Sequence, residues 1–365
     1  METEFTPLHE EHVSLNALMA PFAGWGMPIH YGSILDEARH TRSAVSVFDI
    51  THMGEFIVKE GPGSSSFDGA ITTPVTAMKK GRCRYGFLLN EKGGILDDLI
   101  VYRIADDEWM VVVNASNVRR DFDTISKRLG SGAAIENISS RIVKLDVQGP
   151  KSMGVMKQIA GPGIAGLSYY GFDFFKFMGG SHIISRTGYT GELGFEVYVD
   201  PETGLKLWKE LLKNPDVKPA GLGARDILRL EMGLPLYGNE FNENTTPVDA
   251  GMERFLDMGK HFTGKEPVAA LQKTGARRRL VGFIAGGRRS PRHENRILAG
   301  GTEAGIVTSG VFSPHLNCGI GMGYIDAAHA ADGNGIAIDT GKGEIAANVA
   351  PVPFIKQTSI KHTEA

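Results

Sequence analysis

The sequence predicts an α+β fold followed by a separate all-β domain. Along the first three quarters of the chain, candidate strands, hairpins and helices follow the order β-β-α-β, which favours α+β over a doubly wound parallel sheet. After about residue 274 the pattern changes to short strand-like runs between turn residues, typical of a small β-barrel or sandwich. The sequence has no G-x-G-x-x-G opening a helix and no G-x-x-x-x-G-K-[ST], so it indicates no nucleotide phosphate site.

Length and composition predict a soluble protein of two or three domains. The 365 residues are 42% hydrophobic and 22% charged, and the net charge of −3 gives no global attraction to nucleic acid or anionic membranes. No apolar run approaches the about 20 residues of a membrane-spanning helix, and the acidic N-terminus lacks a targeting pattern. The two distant cysteines, Cys83 and Cys318, fit a reducing compartment, so we expect a bacterial cytoplasmic protein.

The first three quarters of the chain mix helices and strands in order. We predict a helix over residues 28–42, and then strands at 55–58, 84–89, 99–103 and 109–114. The last two strands form a hairpin through the polar residues 105–108. We predict a helix at 118–129, a strand entering 147–150 and a helix at 151–159. Apolar residues at helical spacing predict a further helix over 224–234.

The last quarter predicts a barrel-like domain. Strand-like runs lie at 280–285, 303–308, 318–324, 335–339 and 345–349, separated by turn residues. Between residues 277 and 296 there are seven arginines and one acid, Glu294, so positive charge is concentrated there. We expect domain boundaries that give a module at 1–275, a β-barrel domain at 276–357 and a tail at 358–365.

Two adjacent aspartates precede an apolar run. Asp97 and Asp98 stand directly before Leu-Ile-Val-Tyr at 99–102, although Asp is disfavoured in strands. Successive residues of a strand point to opposite faces, so one carboxylate could be solvated while the other faces a cavity. The alternative is a pair of exposed loop acids after Gly93 and Gly94, the usual place for Asp.

Two further segments carry candidate binding residues. RTGYTGELGFEVYV at 186–199 contains Glu192 and Glu196, and a buried glutamate there could accept paired hydrogen bonds from an amino-pyrimidine edge. The alternative is an ordinary glycine-rich hairpin. In GLGARDILRLEMGLPLYG at 221–238, Arg225 falls in a first helical turn, where a cation is unfavourable and needs another reason. The alternative is an ion pair with a neighbouring acid, such as Glu231.

The sequence predicts no metal site. The nearest histidine pair, His9 and His12, has no further ligands at a suitable spacing. Neither cysteine lies in a recognisable catalytic context.

Taken together and in order, these blocks resemble the aminomethyltransferase family, the T-proteins of the glycine cleavage system. The resemblance runs from the first ten residues to about Phe354. The matching stretches are TPLHEEH at 6–12, FAGWGMPIHYGS at 22–33, VFDITHMGEF at 47–56, NEKGGILDDLIVYR at 90–103, VVVNASN at 111–117, VQGP at 147–150, TGYTGELGFEVY at 187–198, GLGARDILRLEMGLPLYGNE at 221–240 and VTSGVFSPHL at 307–316.

The resemblance implies a fold and a reaction. The fold would have two interleaved α+β folate-binding subdomains and a C-terminal β-barrel, arranged as three domains around a central cavity. The reaction would move the one-carbon unit from the aminomethyl-lipoyl arm of a partner H-protein to tetrahydrofolate, the co-substrate. The resemblance implies no metal and no nucleotide cofactor, and neither nucleic acid nor membrane as a partner.

The resemblance also implies roles for particular residues. Asp97, the first aspartate of the pair, would be the catalytic residue and would face the cavity near the folate N5 and N10 atoms, with Asp98 pointing outward. There it would either stabilise developing positive charge or shuttle a proton. Glu196 would accept from the pterin N3–H and 2-amino group. Arg225 would pair either with the folate carboxylates or with an acid of the cavity. The remaining folate-site residues implied are Tyr189 with the backbone around Gly188 as a pocket wall, Tyr237, Asn114 and Lys356.

Two positions depart from the family pattern. Arg254 stands where many members have Trp, and this version resembles the folate-binding halves of dimethylglycine and sarcosine dehydrogenases. Gln357 stands where an arginine is usual. The alternatives on the same fold are a folate-dependent demethylase and a folate-binding iron–sulfur maintenance protein. The latter carries KGCYxGQE, whereas this chain reads GKHFTGKE at 259–266, without the cysteine. The arginines between 277 and 296 form a solvated surface, ion pairs with acids elsewhere in the chain, or a docking surface for an acidic H-protein.

Overall fold

The chain folds into α-helices and β-strands over the residues that this computed structural model describes, 3–61 and 64–361. The α-helices, numbered in chain order, are α1 His9–Ser14, α2 Ile34–Ser43, α3 Ser66–Ala70, α4 Val118–Arg128, α5 Ser152–Ala160, α6 Pro201–Leu211, α7 Leu222–Glu231 and α8 Lys265–Thr274. Over the described residues, no helix is long and apolar enough to cross a bilayer.

The strands divide between the N-terminal module and the last quarter of the chain. In the first part they are β1 Glu4–Phe5, β2 Leu18–Phe22, β3 Trp25–His30, β4 Val45–Asp49, β5 Gly54–Glu60, β6 Cys83–Leu89, β7 Ile95–Arg103, β8 Glu108–Val113, β9 Ala133–Asn137, β10 Val143–Gln148, β11 Phe172–Phe177, β12 Gly180–Ser185, β13 Gly194–Val199 and β14 Val217–Pro219. In the last quarter they are β15 Arg278–Ala285, β16 Arg296–Ala299, β17 Thr302–Ser313, β18 Cys318–Asp326, β19 Gly335–Asp339 and β20 Glu344–Ala350.

Two large sheets interleave along the chain. The first sheet has the order β11-β12-β13-β10-β4-β14, and the second has the order β6-β7-β8-β5-β9. The chain makes β4 in the first sheet, crosses to build the whole second sheet, and returns to the first with β10. Residues after α7 cross again, because Phe241 and Phe262 share a buried cluster with Phe87 of the second sheet. A small sheet, β1-β3-β2, precedes both.

The two large sheets face each other, and helices cover their outer faces. Phe195 and Val197 of the first sheet pack outward with Leu207 and Trp208 of α6. Leu99 and Val101 of the second sheet pack outward with Ile125 of α4. Between the sheets, Tyr102 of β7 and Tyr198 of β13 meet in a third cluster, with their hydroxyl oxygens 2.8 Å apart. This inner layer holds the polar residues described below.

The last quarter is a closed six-stranded barrel. Its strand order is β15-β18-β17-β16-β19-β20, and Phe283, Ile297 and Ile338 lie in its buried interior. The barrel packs on α7, where Leu230 contacts Ile320 and Met322 of β18. The sequence prediction of a small β-barrel is confirmed, as is the mixed α+β character of the preceding module.

Buried ion pairs fasten the barrel to the rest of the chain. Arg229 of α7 pairs with Glu240 at 2.9 Å and donates to Ser309 of the barrel at 2.6 Å. Arg42 of α2 pairs with Glu231 at 2.8 Å, and the other oxygen of Glu231 accepts from Ser313 at 2.6 Å. Removing one partner of such a buried pair costs about 3–5 kcal/mol. The hydroxyls of Ser309 and Ser313 connect these two pairs to the barrel.

The individual elements follow most sequence predictions and correct two. The helix predicted over 224–234 ends early, because α7 ends at Glu231. The hairpin of residues 99–103 and 109–114, the helix at 118–129 and five barrel strands are confirmed. The helix predicted over 28–42 is wrong at its start, because β3 continues to His30 and α2 begins only at Ile34. Ser33 caps α2 by accepting from the Asp36 amide at 3.3 Å, which fixes the start of the helix.

The C-terminal segment returns to the N-terminal module. The hydroxyl and the backbone N–H of Ser359 both donate to Glu192, and the Leu193 N–H donates to the Ser359 hydroxyl at 2.9 Å. Of the predicted tail at 358–365, residues 362–365 lie outside the described residues. The predicted boundaries at 275 and 357 remain predictions.

Candidate active site

Strand β7 points its two aspartates in opposite directions. Asp98 lies on the same face as Ile100 and Tyr102, which pack in the layer between the two sheets. Asp97 lies on the same face as Leu99 and Val101, which pack outward against the helices. The alternation expected from the sequence is therefore present, and it places Asp98 between the sheets.

Asp97 is enclosed by asparagines. Its side chain is 0% exposed, and its two oxygens accept from the Asn114 N–H at 3.0 Å, the Asn114 amide at 2.9 Å and the Asn117 amide at 2.7 Å. Burial raises the pKa of Asp97, and these donors oppose that rise. Asp121 of α4 lies beside it, and burial together with the charge of Asp97 raises the pKa of Asp121 to about 10. One of these two carboxyls therefore holds a proton at neutral pH.

Asp98 is the partly accessible carboxylate of the pair. It accepts from the Tyr85 hydroxyl at 2.9 Å and from the Asn114 side-chain amide at 2.9 Å. Burial, and then the nearby charge of Asp97, raise the pKa of Asp98 to about 7. The orientation differs from the one implied by the resemblance, because the face of β7 that carries Asp97 packs outward with the helices, whereas Asp98 lies on the face between the sheets.

Glu196 of β13 faces the second sheet from the opposite side. It is 4% exposed and accepts from the hydroxyls of Thr187 and Tyr198, each at 3.0 Å, and of Tyr102 at 3.3 Å. Burial by itself would raise the pKa of Glu196, but the Lys144 ammonium and the hydroxyl donors outweigh burial and hold that pKa below its usual value. Glu196 is therefore buried and held toward its ionised form, and its contact with a pterin ring stays a prediction.

The glycine-rich segment brings Tyr189 to the site. A side chain at Gly188 would come within 2.2 Å of the Gln148 amide, so this position needs glycine for the loop to pass so closely over β10. Tyr189 donates to the Pro235 carbonyl, and its ring lies under the Arg225 guanidinium at 4.6 Å. Glu192 of the same segment is turned away and pairs with Arg42 at 2.8 Å.

Arg225 has hydrogen-bond donors that are not used within the described residues. Within the described residues its Nε is buried without a hydrogen bond, and no ion pair to a carboxylate is found for it. The alternative of a pair with Glu231 is wrong, because Glu231 binds Arg42 at 2.8 Å. Arg225 lies close enough to Glu196 and Tyr189 for its charge to act to lower the pKa of both groups. The charge of Asp98 acts on Tyr189 in the opposite direction and raises its pKa. We name the group formed by Tyr85, Asp98, Tyr189, Glu196 and Arg225 the inter-sheet site.

Three other predicted residues lie outside this group. Asn114 joins it indirectly, since its amide bridges Asp97 and Asp98. Tyr237 lies on the Asp97 side, with its ring 5.3 Å from the Arg120 guanidinium. Lys356 is exposed in the segment after the barrel.

Arg254, which the sequence predicts to depart from the family pattern, lies close to the inter-sheet site. Its side chain is exposed and its guanidinium lies 4.7 Å from the ring of Phe255. The Phe255 ring in turn contacts that of Tyr85 at 4.8 Å. The Phe255 ring therefore lies between Arg254 and Tyr85, whose hydroxyl donates to Asp98.

Sequence reasoning missed several polar residues of the inner layer. Lys144 and Asp146 alternate with apolar residues along β10, and Val143, Leu145 and Val147 pack outward. That period of two was a usable signal for polar groups between the sheets. Tyr85 and Asp121 had no comparable signal, because their roles arise from contacts between separate strands and helices.

The described residues contain no cluster of three or more His, Cys, Asp or Glu that could hold a metal ion. His12 is instead buried against Asp49, with Nε2 and Oδ2 2.9 Å apart. Its Nδ1 lies 2.8 Å from the Tyr31 hydroxyl, so both ring nitrogens have protein partners.

Two family models together cover most of the chain. Residues 8–260 match the GCVT N-terminal domain, and residues 278–356 match the glycine cleavage T-protein C-terminal barrel domain. The chain belongs to the aminomethyltransferase family, the T-proteins of the glycine cleavage system. The resemblance drawn from the ordered sequence blocks is confirmed.

Full-length relatives agree with this membership. The chain is 40% identical over 355 residues to an aminomethyltransferase of Halothermothrix orenii, covering 96% of this chain and 99% of the relative. It is 42% identical over 356 residues to one of Thermosipho melanesiensis, covering 97% of each. The crystal structure of glycine cleavage system aminomethyltransferase T from Bartonella henselae superposes with a TM-score of 0.93 at 33% identity, covering 98% of this chain and 99% of that one. The chain is therefore an enzyme, an aminomethyltransferase of the glycine cleavage system.

Proposed function

We propose that the inter-sheet site transfers a one-carbon unit from an aminomethyl thioether to tetrahydrofolate. The donor is the aminomethyl group on the dihydrolipoyl arm of H-protein. The S–C and C–N bonds of the aminomethyl group break, and its carbon bonds to N5 and N10 of the folate. The two hydrogens lost from N5 and N10 go to sulfur and nitrogen, so the products are 5,10-methylenetetrahydrofolate, ammonia and dihydrolipoyl H-protein.

One observation carries the proposal: the inter-sheet site combines two carboxylates with an arginine that has no carboxylate partner among the described residues. Glu196 is a buried anion, Asp98 is a partly accessible carboxylate, and Arg225 has unused donors. A folate presents matching groups, namely a donor-rich pterin edge, basic amines at N5 and N10, and glutamate carboxylates. Each of the three residues thus has a complementary partner on one ligand.

Glu196 suits recognition of the pterin ring. A carboxylate can accept hydrogen bonds from the N3–H and 2-amino donors of the amino-pyrimidinone edge, and such charge-assisted bonds are stronger than neutral ones. The Tyr189 ring, which stacks against the Arg225 guanidinium, would form a flat wall of the pterin pocket. Holding the ring in register matters because a displacement of about 1 Å can cost a hundredfold in rate.

Asp98, rather than Asp97, suits the chemical step. Its pKa of about 7 allows it both to stabilise a positively charged amine and to exchange a proton near neutral pH. Asp97 is sealed behind Asn114 and Asn117 and supports Asp98 through Asn114. The predicted catalytic role thus moves by one residue, to the aspartate that the strand turns inward.

Arg225 suits an anionic group of the folate. A guanidinium with unused donors pairs well with carboxylates, in a bidentate geometry that lysine cannot reproduce. Tyr237 and Lys356 remain predicted folate-site residues, and we assign no contact to either.

The H-protein is the proposed macromolecular partner, and the barrel arginines are its proposed docking surface. All seven arginines between residues 277 and 296 are exposed. Two of them pair with barrel acids: Arg278 with Asp326 at 3.5 Å and Arg296 with Asp339. Arg288 instead lies over the Phe312 ring at 4.9 Å, and Arg289 approaches the Thr340 hydroxyl at 3.4 Å. The charges of Arg288 and Arg289 therefore remain available to steer an acidic partner. We expect the reaction to take place in the cytoplasm.

The test is an assay with lipoylated H-protein that carries the aminomethyl arm. We expect ammonia and 5,10-methylenetetrahydrofolate to form in equal amounts. When tetrahydrofolate is omitted, we expect no fast release of ammonia and no methylene product. A matched reaction with a methylated sulfonium donor in place of H-protein distinguishes the demethylase alternative. Formation of methyltetrahydrofolate from that donor, without turnover of the aminomethyl arm, would contradict the proposal.

A further inference from the structure

A lysine is buried beside the glutamate of the inter-sheet site. Lys144 of β10 is 1% exposed, and its Nζ lies 3.4 Å from Glu196 Oε2 and 3.6 Å from the Met53 sulfur. The ammonium also lies 5.0 Å from the centre of the Tyr198 ring. A buried ammonium is costly unless it is paired, so its pairing with Glu196 is the contact that makes this position tenable.

The contacts of Glu196 are all on one oxygen. The hydroxyls of Thr187, Tyr198 and Tyr102 donate to Oε2, and Lys144 also approaches Oε2. Among the described residues, Oε1 accepts no hydrogen bond. It is also not one of the fully buried atoms that lack a partner, so it keeps some exposure. Oε1 is therefore the oxygen that remains for a ligand.

The surroundings of Glu196 contain other acids. Burial raises the pKa of Glu55 to about 8 and that of Asp146 to about 7, and in both cases the charge of Glu196 adds to the rise. Glu55 Oε1 and Asp146 Oδ2 are buried without a hydrogen bond in the described structure. The titratable or charged groups that face Glu196 are Lys144 and Asp146 on β10, Glu55 on β5, Tyr102 on β7, Tyr198 on its own strand, Cys83 on β6, Tyr170 before β11 and Arg225 on α7.

We propose that Lys144 is a positioning residue that keeps Glu196 ionised, with Oε1 free to accept from the pterin edge. The inference rests on the proposed function, since it concerns how the same site recognises folate. Without the lysine, Glu196 would be buried beside two further acids and would take up a proton more readily. A protonated Glu196 presents a donor where the N3–H and 2-amino groups also donate, and that mismatch would weaken recognition of the ring.

The test compares folate binding by the intact enzyme and a Lys144→Met variant between pH 6 and pH 8.5. The probe is 5-formyltetrahydrofolate, measured by calorimetry. We expect the variant to bind about tenfold or more weakly at pH 6 and to approach wild-type affinity at pH 8.5, where Glu196 ionises without help. Lys144→Arg, which keeps a cation, should restore the wild-type profile. Lys59→Met is the matched control, because Lys59 pairs with Glu108 at the surface, where it is 62% exposed.

A second measurement separates positioning from a structural role. In a Glu196→Gln background, Lys144→Met should cause no further loss of folate affinity, because the charge that it supports is already gone. If Lys144→Met does not yield folded protein, Lys144→Gln removes the charge while keeping donors and replaces it in both measurements.

The outcomes distinguish this inference from the function on which it rests. If the wild-type enzyme does not bind the folate, the proposed function fails. If the wild type binds and Lys144→Met matches it at every pH, the inference is overturned. A loss that is equal at all pH values, or undiminished in the Glu196→Gln background, also overturns it.

Discussion

Asn114 Nδ2 lies 2.9 Å from Oδ1 of Asp98, and the same amide is also 2.9 Å from Oδ1 of Asp97. One side chain thus connects the enclosed aspartate with the one that faces the inter-sheet site. Asn114 follows β8 directly, so the neighbouring strands β7 and β8 together fix the geometry of the Asp97–Asp98 pair.

Replacing Asn114 with Ala should slow the chemical step. Loss of hydrogen bonds to charged groups costs about 1.5–3 kcal/mol, so we expect kcat to fall by about 10- to 100-fold. The KM for tetrahydrofolate should change little, because Glu196 and Arg225 are untouched. Asn244→Ala, a change at an exposed asparagine outside the inter-sheet site, is the control and should keep wild-type kinetics. An unchanged kcat in Asn114→Ala would show that Asp98 needs no such support.

Asp121 should make folding stability depend on pH. Its pKa is about 10 in the folded protein, because of burial and then the charge of Asp97, against about 4 in an unfolded chain. Between those values the folded state binds the extra proton, so Asp121 lowers the free energy of unfolding progressively as pH rises. Below about pH 4 both states are protonated and this effect is absent.

The Asp121→Asn variant removes that titration. Its stability relative to wild type should therefore increase between pH 5.5 and pH 8.5, by at most about 1.4 kcal/mol per pH unit. Urea unfolding at both pH values measures the difference. A difference that stays constant with pH would mean that Asp121 does not hold a proton in the folded enzyme.

Reversing the charge of Arg288 and Arg289 should weaken the encounter with H-protein. We expect Arg288→Glu/Arg289→Glu to raise the apparent KM for H-protein and to flatten its dependence on salt, because steering by opposite charges would be lost. Folate binding should not change. Lys206→Glu/Lys209→Glu on α6, an exposed pair outside the barrel, is the matched control. If the arginine variant keeps the wild-type KM for H-protein at low ionic strength, the docking proposal is contradicted and these arginines are ordinary surface residues.

Much of the fold followed from local pattern, but the direction of the Asp97–Asp98 pair did not. The hairpin of β7 and β8 was predictable because two β-rich runs flank a short polar turn. The alternation along β7 fixed only that Asp97 and Asp98 face opposite ways. Both faces of this strand carry apolar residues, Leu99 and Val101 on one and Ile100 and Tyr102 on the other. Only the packing of the sheets decides which face is the inner one.

The site showed the same division between local and tertiary information. Glu196 was identifiable from its glycine-rich segment, and Arg225 from its unfavourable place in a first helical turn. The missed contribution of Lys144 depends on β10 and β13 lying side by side, with Asp146 opposite Glu196 in register. The start of α2 was misplaced because Pro28 lies in a strand that pairs with β2, a tertiary contact that local spacing does not reveal.

The most direct test of this account is a single-turnover measurement of methylene transfer by Asp98→Asn and Asp97→Asn, each saturated with tetrahydrofolate and loaded H-protein. A positioned acid–base group contributes about 10²- to 10⁴-fold, so Asp98→Asn should lower the rate by at least about a hundredfold while keeping its affinity for folate. Asp97→Asn should lose about tenfold, since Asp97 acts through Asn114. A larger loss in Asp97→Asn than in Asp98→Asn would contradict the assignment of the chemical step to the aspartate that faces the inter-sheet site.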